Sequence, residues 1–92
     1  MGSPFLGQVE SFTIGGLDLW FNSHDHGPPH FHVRRPGEWE IRVYFLSGTE
    51  NALDFDMKWG REPSRTYIRT LTHHVVTKRA ALLEEWEQKV CR

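Results

Sequence analysis

The hydrophobic period changes once along this chain, and that change limits the folds open to it. Before residue 60, apolar and polar residues alternate. Leu17, Leu19 and Phe21 interleave with Asp18, Trp20 and Asn22, and Phe31 and Val33 with His30, His32 and Arg34. Ile41, Val43 and Phe45 then alternate with Glu40, Arg42 and Tyr44, and Leu53, Phe55, Met57 and Trp59 with Asp54, Asp56 and Lys58. Period two is the signature of strands with one buried face. Residues 9–14, closed by Gly15-Gly16, form a weaker strand candidate. After Pro63 and Ser64, both helix-start signals, apolar residues recur at spacings of three and four. Ile68, Leu71 and Val75 begin that stripe, and Val76, Ala80, Leu83, Trp86 and Val90 continue it.

The connections are short. Arg35-Pro36-Gly37-Glu38 reads as a tight turn, with Pro pre-set at its second position and Gly tolerating positive φ at its third. Ser47-Gly48-Thr49-Glu50-Asn51 is similarly turn-rich. Such links favour an antiparallel meander of four or five strands. Its apolar face, carrying Leu19, Val33, Val43 and Phe55, would lie beneath a C-terminal helix or helix pair, a two-layer α+β arrangement. The expected organisation is a single domain over residues 1–92, with sheet at 9–59, a His/Pro loop at 23–32 and helix at 63–91. His73-His74-Val75-Val76-Thr77 is rich in weak helix formers, which predicts a break there with Thr77 capping a second helix. Arg79 falls within the apolar stripe and is expected to snorkel or to pair with an acidic residue such as Glu62.

At 92 residues the chain is near the small end of what one core can hold. No run approaches the roughly 18 apolar residues of a membrane span, so no membrane partner is expected. Residues 1–6 lack a signal peptide's basic segment, and Leu6 stands where a myristoylation motif needs Ser or Thr. Cys91 is the single cysteine and has no intrachain partner, which points to a reducing cytoplasm. The net charge of -1 is unevenly shared. Up to Trp59 four basic residues face eight acidic ones, and from Gly60 onward seven basic face four acidic. That pattern argues against generic coating of DNA and leaves room for a local anionic partner.

The chemistry concentrates in His24-Asp25-His26-Gly27-Pro28-Pro29-His30-Phe31-His32, which holds four of the six histidines. On a strand, His30 and His32 share one side with Cα atoms about 6.5 to 7 Å apart. If the apolar side faces the helices, they face away from them. Their rings could then converge on one ion while His26 and His24 close over it from the loop. Pro28-Pro29 stiffens the approach and Gly27 permits a sharp turn. Asp25 fits either as a ligand or as the acceptor that orients an imidazole. A nitrogen-rich set suits a divalent transition metal such as zinc, nickel or copper. A metal-free proton-transfer site, or simply a solvated polar face, accounts for the same residues.

Three further patterns bear on partners. His30, His32 and Arg42 on one face are candidates for phosphodiester cleavage, as base, acid and charge stabiliser. Trp20 and Tyr44 on that face could anchor a homodimer or another partner chain. Arg61, Arg65, Arg69 and His73 recur every four residues, so on a helix they would form a basic stripe able to track RNA phosphates. More often such a stripe is merely the solvated side of an amphipathic helix.

Between about residues 10 and 88 the chain resembles the short bacterial proteins of domain of unknown function 4160. Leu19-Trp20-Phe21-Asn22, His26, Pro28-Pro29-His30-Phe31-His32-Val33, Gly37-Glu38-Trp39-Glu40 and Leu82-Leu83-Glu84-Glu85-Trp86 carry the likeness. The resemblance implies a small antiparallel sheet with C-terminal helices and, as signature residues, His26, Pro28, Pro29, His30 and His32. It implies no established activity. Loosely, it implies a cognate small protein partner in a toxin–antitoxin-like pair. The expectation is therefore a metal- or ligand-binding module, with a toxin-like ribonuclease and a non-catalytic interaction partner as alternatives.

Overall fold

The computed structural model describes residues 7–90, and its sheet ends and its helices begin at the change of period near Pro63. Strands β1 (Asp18–Trp20), β2 (Phe31–Arg35), β3 (Trp39–Val43) and β4 (Phe55–Gly60) precede helices α1 (Arg65–Thr77) and α2 (Arg79–Lys89). All neighbours pair antiparallel in the order β1-β2-β3-β4, a four-stranded meander in an α+β fold. No helix among the described residues is long and apolar enough to cross a membrane. Residues 1–6 and Cys91, on which the targeting and thiol expectations rest, lie outside the described residues.

Register divides the sheet into two faces. Leu19, Val33 and Ile41 oppose one another across three strands, as do Phe31, Val43 and Phe55 across β2, β3 and β4. With Phe45, Leu71, Val75, Leu82 and Trp86 they form the core beneath the helices. Two rows cross the other face: Trp20, His32, Arg42 and Asp56, then Asp18, Arg34, Glu40 and Trp59. Gly37 adopts φ +79° in the β2–β3 turn, closed by the Glu38 N–H donating to the Arg35 carbonyl at 2.9 Å.

Local chemistry modified several elements. Residues 9–14 are not a strand, because the N–H groups of Glu10 and Ser11 donate to the Glu85 carboxylate of α2, each at 2.8 Å. Only the start of that segment meets the sheet, through Val9 N–H to Leu19 O and Phe21 N–H to Gly7 O. The alternation of β4 breaks at its end. Met57 opposes Ile41 but Trp59 opposes Glu40, so Lys58 is one residue too many. This bulge turns Trp59 to the outer face, where its indole N–H donates to Glu40 at 3.3 Å.

Ser64 caps α1 by accepting from the Tyr67 N–H. The helix runs unbroken through His73–Thr77, where the weak helix formers predict a break, and the helices part just after them at Lys78; nor does Thr77 cap α2. Its hydroxyl donates back to the His73 carbonyl at 2.8 Å, and α2 has no side-chain cap. Across the break the buried stripe keeps its spacing through Leu71, Val75, Leu82 and Trp86, so Leu82 is buried while Ala80 is exposed. Arg79 pairs with carbonyls rather than with Glu62, donating to Phe45 at 2.7 Å and to Ser47 and Gly48 at 3.2 Å.

Candidate metal centre

The loop between β1 and β2 folds back over the outer face of β2. Asn22 starts it with a double turn, its side-chain oxygen accepting from the His24 N–H at 3.1 Å and its carbonyl from the Asp25 N–H at 3.0 Å. The turn sends the Asp25 carboxylate toward the strand and leaves His24 and His26 exposed. Gly27, at φ +82°, then reverses the chain into Pro28-Pro29. His30 follows at the threshold of β2 and His32 lies within it.

One carboxylate oxygen joins the two imidazoles. Asp25 Oδ2 is 2.7 Å from His32 Nε2 and 3.1 Å from His30 Nε2. Asp25, His30 and His32 each present a ligand atom within 4.8 Å of the others, close enough to share one metal ion. Both histidines are only 4% exposed, and Asp25 is half-buried above them. Trp20 stacks on His32 with centroids 5.2 Å apart, and the His30 ring lies 5.6 Å from both Tyr44 and Trp86. Contact with Trp86 of α2 means that His30, unlike His32, is not turned clear of the helices.

A hydrogen bond fixes one hydrogen of the cluster. His30 Nδ1 sits 2.8 Å from the Pro28 carbonyl, which can only accept, so Nδ1 carries the hydrogen. In the neutral ring Nε2 then holds a lone pair aimed at the Asp25 oxygen. That nitrogen is buried and has no hydrogen-bond partner, nor does His32 Nδ1. Two acceptors facing each other out of water repel, and a cation between them removes the conflict. Burial holds His32 below the ordinary histidine range, and its hydrogen bond to Asp25 opposes this only in part.

Arg42 is the direct cross-strand neighbour of His32 and Asp56. Hydrogen bonding with Tyr44 holds its guanidinium above the ordinary range, against the effect of burial. The Tyr44 hydroxyl in turn donates to Asp56 at 2.8 Å. Thus His30, His32 and Arg42 do share a neighbourhood, together with Tyr44 and Trp20.

The arginine stripe does not join them. Arg61 precedes the Ser64 cap and is not on the helix. Arg65 and Arg69 line an open groove of about 480 Å³ with Glu50, Glu62, Phe55 and Ile68, on the helix side of the sheet. Asp25 is the residue that period and spacing alone left least defined. The available signal was Asn22, whose side chain favours a turn three residues before it. Searches against protein-family models, curated proteins and solved structures found no match to this chain.

Proposed function

We propose that this chain is a small metal-binding module that holds one divalent transition-metal ion on Asp25, His30 and His32. The observation that carries the reading is the Pro28 carbonyl on His30 Nδ1, which fixes the tautomer and presents Nε2 to the point Asp25 and His32 share. Metal-bound histidines characteristically make this outer hydrogen bond. Two nitrogens and one oxygen suit zinc first, then nickel or copper. Three protein ligands are the count of catalytic zinc sites, whereas closed structural sites use four. A zinc ion supplies Lewis acidity when bound. His26 and His24 stand outside this ligand set. The likeness to domain of unknown function 4160 lends support only through Pro28-Pro29-His30-Phe31-His32, the stretch that builds the site.

Titration calorimetry of untagged, chelator-stripped protein with zinc, nickel and copper tests this directly. One equivalent is expected to bind, with binding lost in His30→Ala and kept in His24→Ala and His26→Ala. Absence of affinity for all three ions would falsify the reading. A second reading, toxin-like cleavage of RNA, draws on one observation, the placement of Arg42 beside His32. It gains nothing from Arg61, Arg65 or Arg69, since Arg65 and Arg69 sit on the opposite side of the sheet and Arg61 is off the helix. Growth arrest on expression, relieved by Arg42→Ala, would favour it.

A further inference from the structure

We propose that two copies of this chain join through β4, antiparallel about Met57, into a continuous eight-stranded sheet. The two sheet edges are finished differently. Along β1 the main chain is partly covered by Gly7 to Val9, through the bridge of Gln8 to Trp20. Among the described residues nothing pairs with the outer edge of β4. Every residue of β4 after Phe55 is exposed, including Met57 at 39% and Trp59 at 44%. Large apolar side chains beside an open row of N–H and C=O groups are what a pairing edge presents.

Phase and charge select the occupant. The Tyr44 N–H donates to the Asp54 carbonyl at 2.9 Å, so Asp54 and Asp56 spend their main-chain groups on β3. Phe55 and Met57 consequently turn theirs outward. A two-fold axis at Met57 pairs that residue with itself, both main-chain groups in position to bond. In this register Asp56 of each copy opposes Lys58 of the other, giving two opposite-charge pairs. A lysine on an edge strand ordinarily repels other strands. Here the aspartate two residues earlier makes one register with one partner the exception, and that partner is the chain itself. The pairing does not depend on the metal centre, because Asp25, His30 and His32 lie on the β1–β2 side of the sheet.

Sedimentation over a concentration series, with stripped protein, provides the test. Wild type is expected to move from monomer to dimer. Lys58→Glu places like charges opposite each other twice and should weaken the dimer about tenfold or more. Asp56→Lys should do the same, and an equimolar mixture of the two variants should recover the dimer by restoring both pairs. Met57→Pro removes one outward N–H that β3 does not use, so it should abolish dimers while circular dichroism stays native, even if Asp56→Lys fails to fold. A wild type still monomeric at millimolar concentration would overturn the proposal. So would a dimer indifferent to both Lys58→Glu and Met57→Pro.

Discussion

Asp25 has more consequence than either histidine it touches, because a single oxygen of its carboxylate faces both rings. Asp25→Asn keeps an acceptor near His32 but removes the charge that a divalent ion needs. Metal affinity should fall at least about 10–100-fold, since even an outer partner of a ligand is worth that much. Without metal, the variant's urea midpoint should stay near that of wild type, because a hydrogen bond can persist. A large loss of apo stability would instead make Asp25 a structural residue. The second titratable feature is His74, stacked on Phe12 with ring centroids 4.5 Å apart. Burial, then the nearby charges of His73 and Lys78, hold its ring below the ordinary histidine range. Since its folded value lies below its unfolded one, its contribution is complete above about pH 6.5 and is lost as pH falls through the folded value. The urea midpoint of stripped protein should therefore drop between pH 7.5 and 5.5, and His74→Gln should drop less. An equal drop in both would remove His74 from the account.

At the scale of elements, Glu85 decides how the N-terminal segment runs. It accepts from the N–H groups of Glu10 and Ser11, from the Ser11 hydroxyl and, at 2.9 Å, from Lys89. Lys89 also donates to the Gln8 carbonyl at 2.7 Å. Burial pushes the Glu85 carboxyl upward, but these donors outweigh it and leave it below the usual carboxylate range. Glu85→Ala strands two main-chain donors and takes one of its partners from the Lys89 ammonium, and should cost roughly 2–3 kcal/mol in urea unfolding, with metal affinity unchanged. A cost near zero would mean that water replaces the clamp. The clamp also explains a limit of sequence reading. Alternation identified β1 to β4 and helical spacing the C-terminal pair, because those patterns report burial directly. Residues 9–14 carry the same apolar content, yet their hydrogen-bond partner sits 74 residues away, and no local pattern encodes it. The Lys58 bulge was hidden likewise: it inserts one residue whose effect depends on the opposing strand. At the site, the proline corner and the alternation of His30 with His32 were legible. The choice of Asp25 over its neighbours His24 and His26 was not, since three adjacent loop residues cannot be ranked by period.

For the whole molecule, the position of the site makes metal binding a matter of fold stability. Residues 22–30 have no strand or helix of their own, and they are fastened to the sheet chiefly where Asp25 meets His30 and His32. An ion there ties the loop to β2 in the folded chain, whereas the unfolded chain scatters the three ligands. Binding to the folded state alone stabilises it by about 2.7 kcal/mol when free metal is a hundred times the dissociation constant. For a chain of 92 residues each kcal/mol moves the melting temperature by about 4–8 °C, so the shift should be on the order of 10–20 °C. Calorimetric melting of stripped protein with and without zinc measures it. The shift should vanish in His30→Ala and persist in His26→Ala. It should also persist in Met57→Pro, because the β4 edge and the Asp25–His30–His32 cluster lie on opposite sides of the sheet order. A zinc-dependent shift that survives His30→Ala would place the ion on other residues, such as the exposed His24 and His26, and the buried cluster would then be a hydrogen-bonded clasp for the loop.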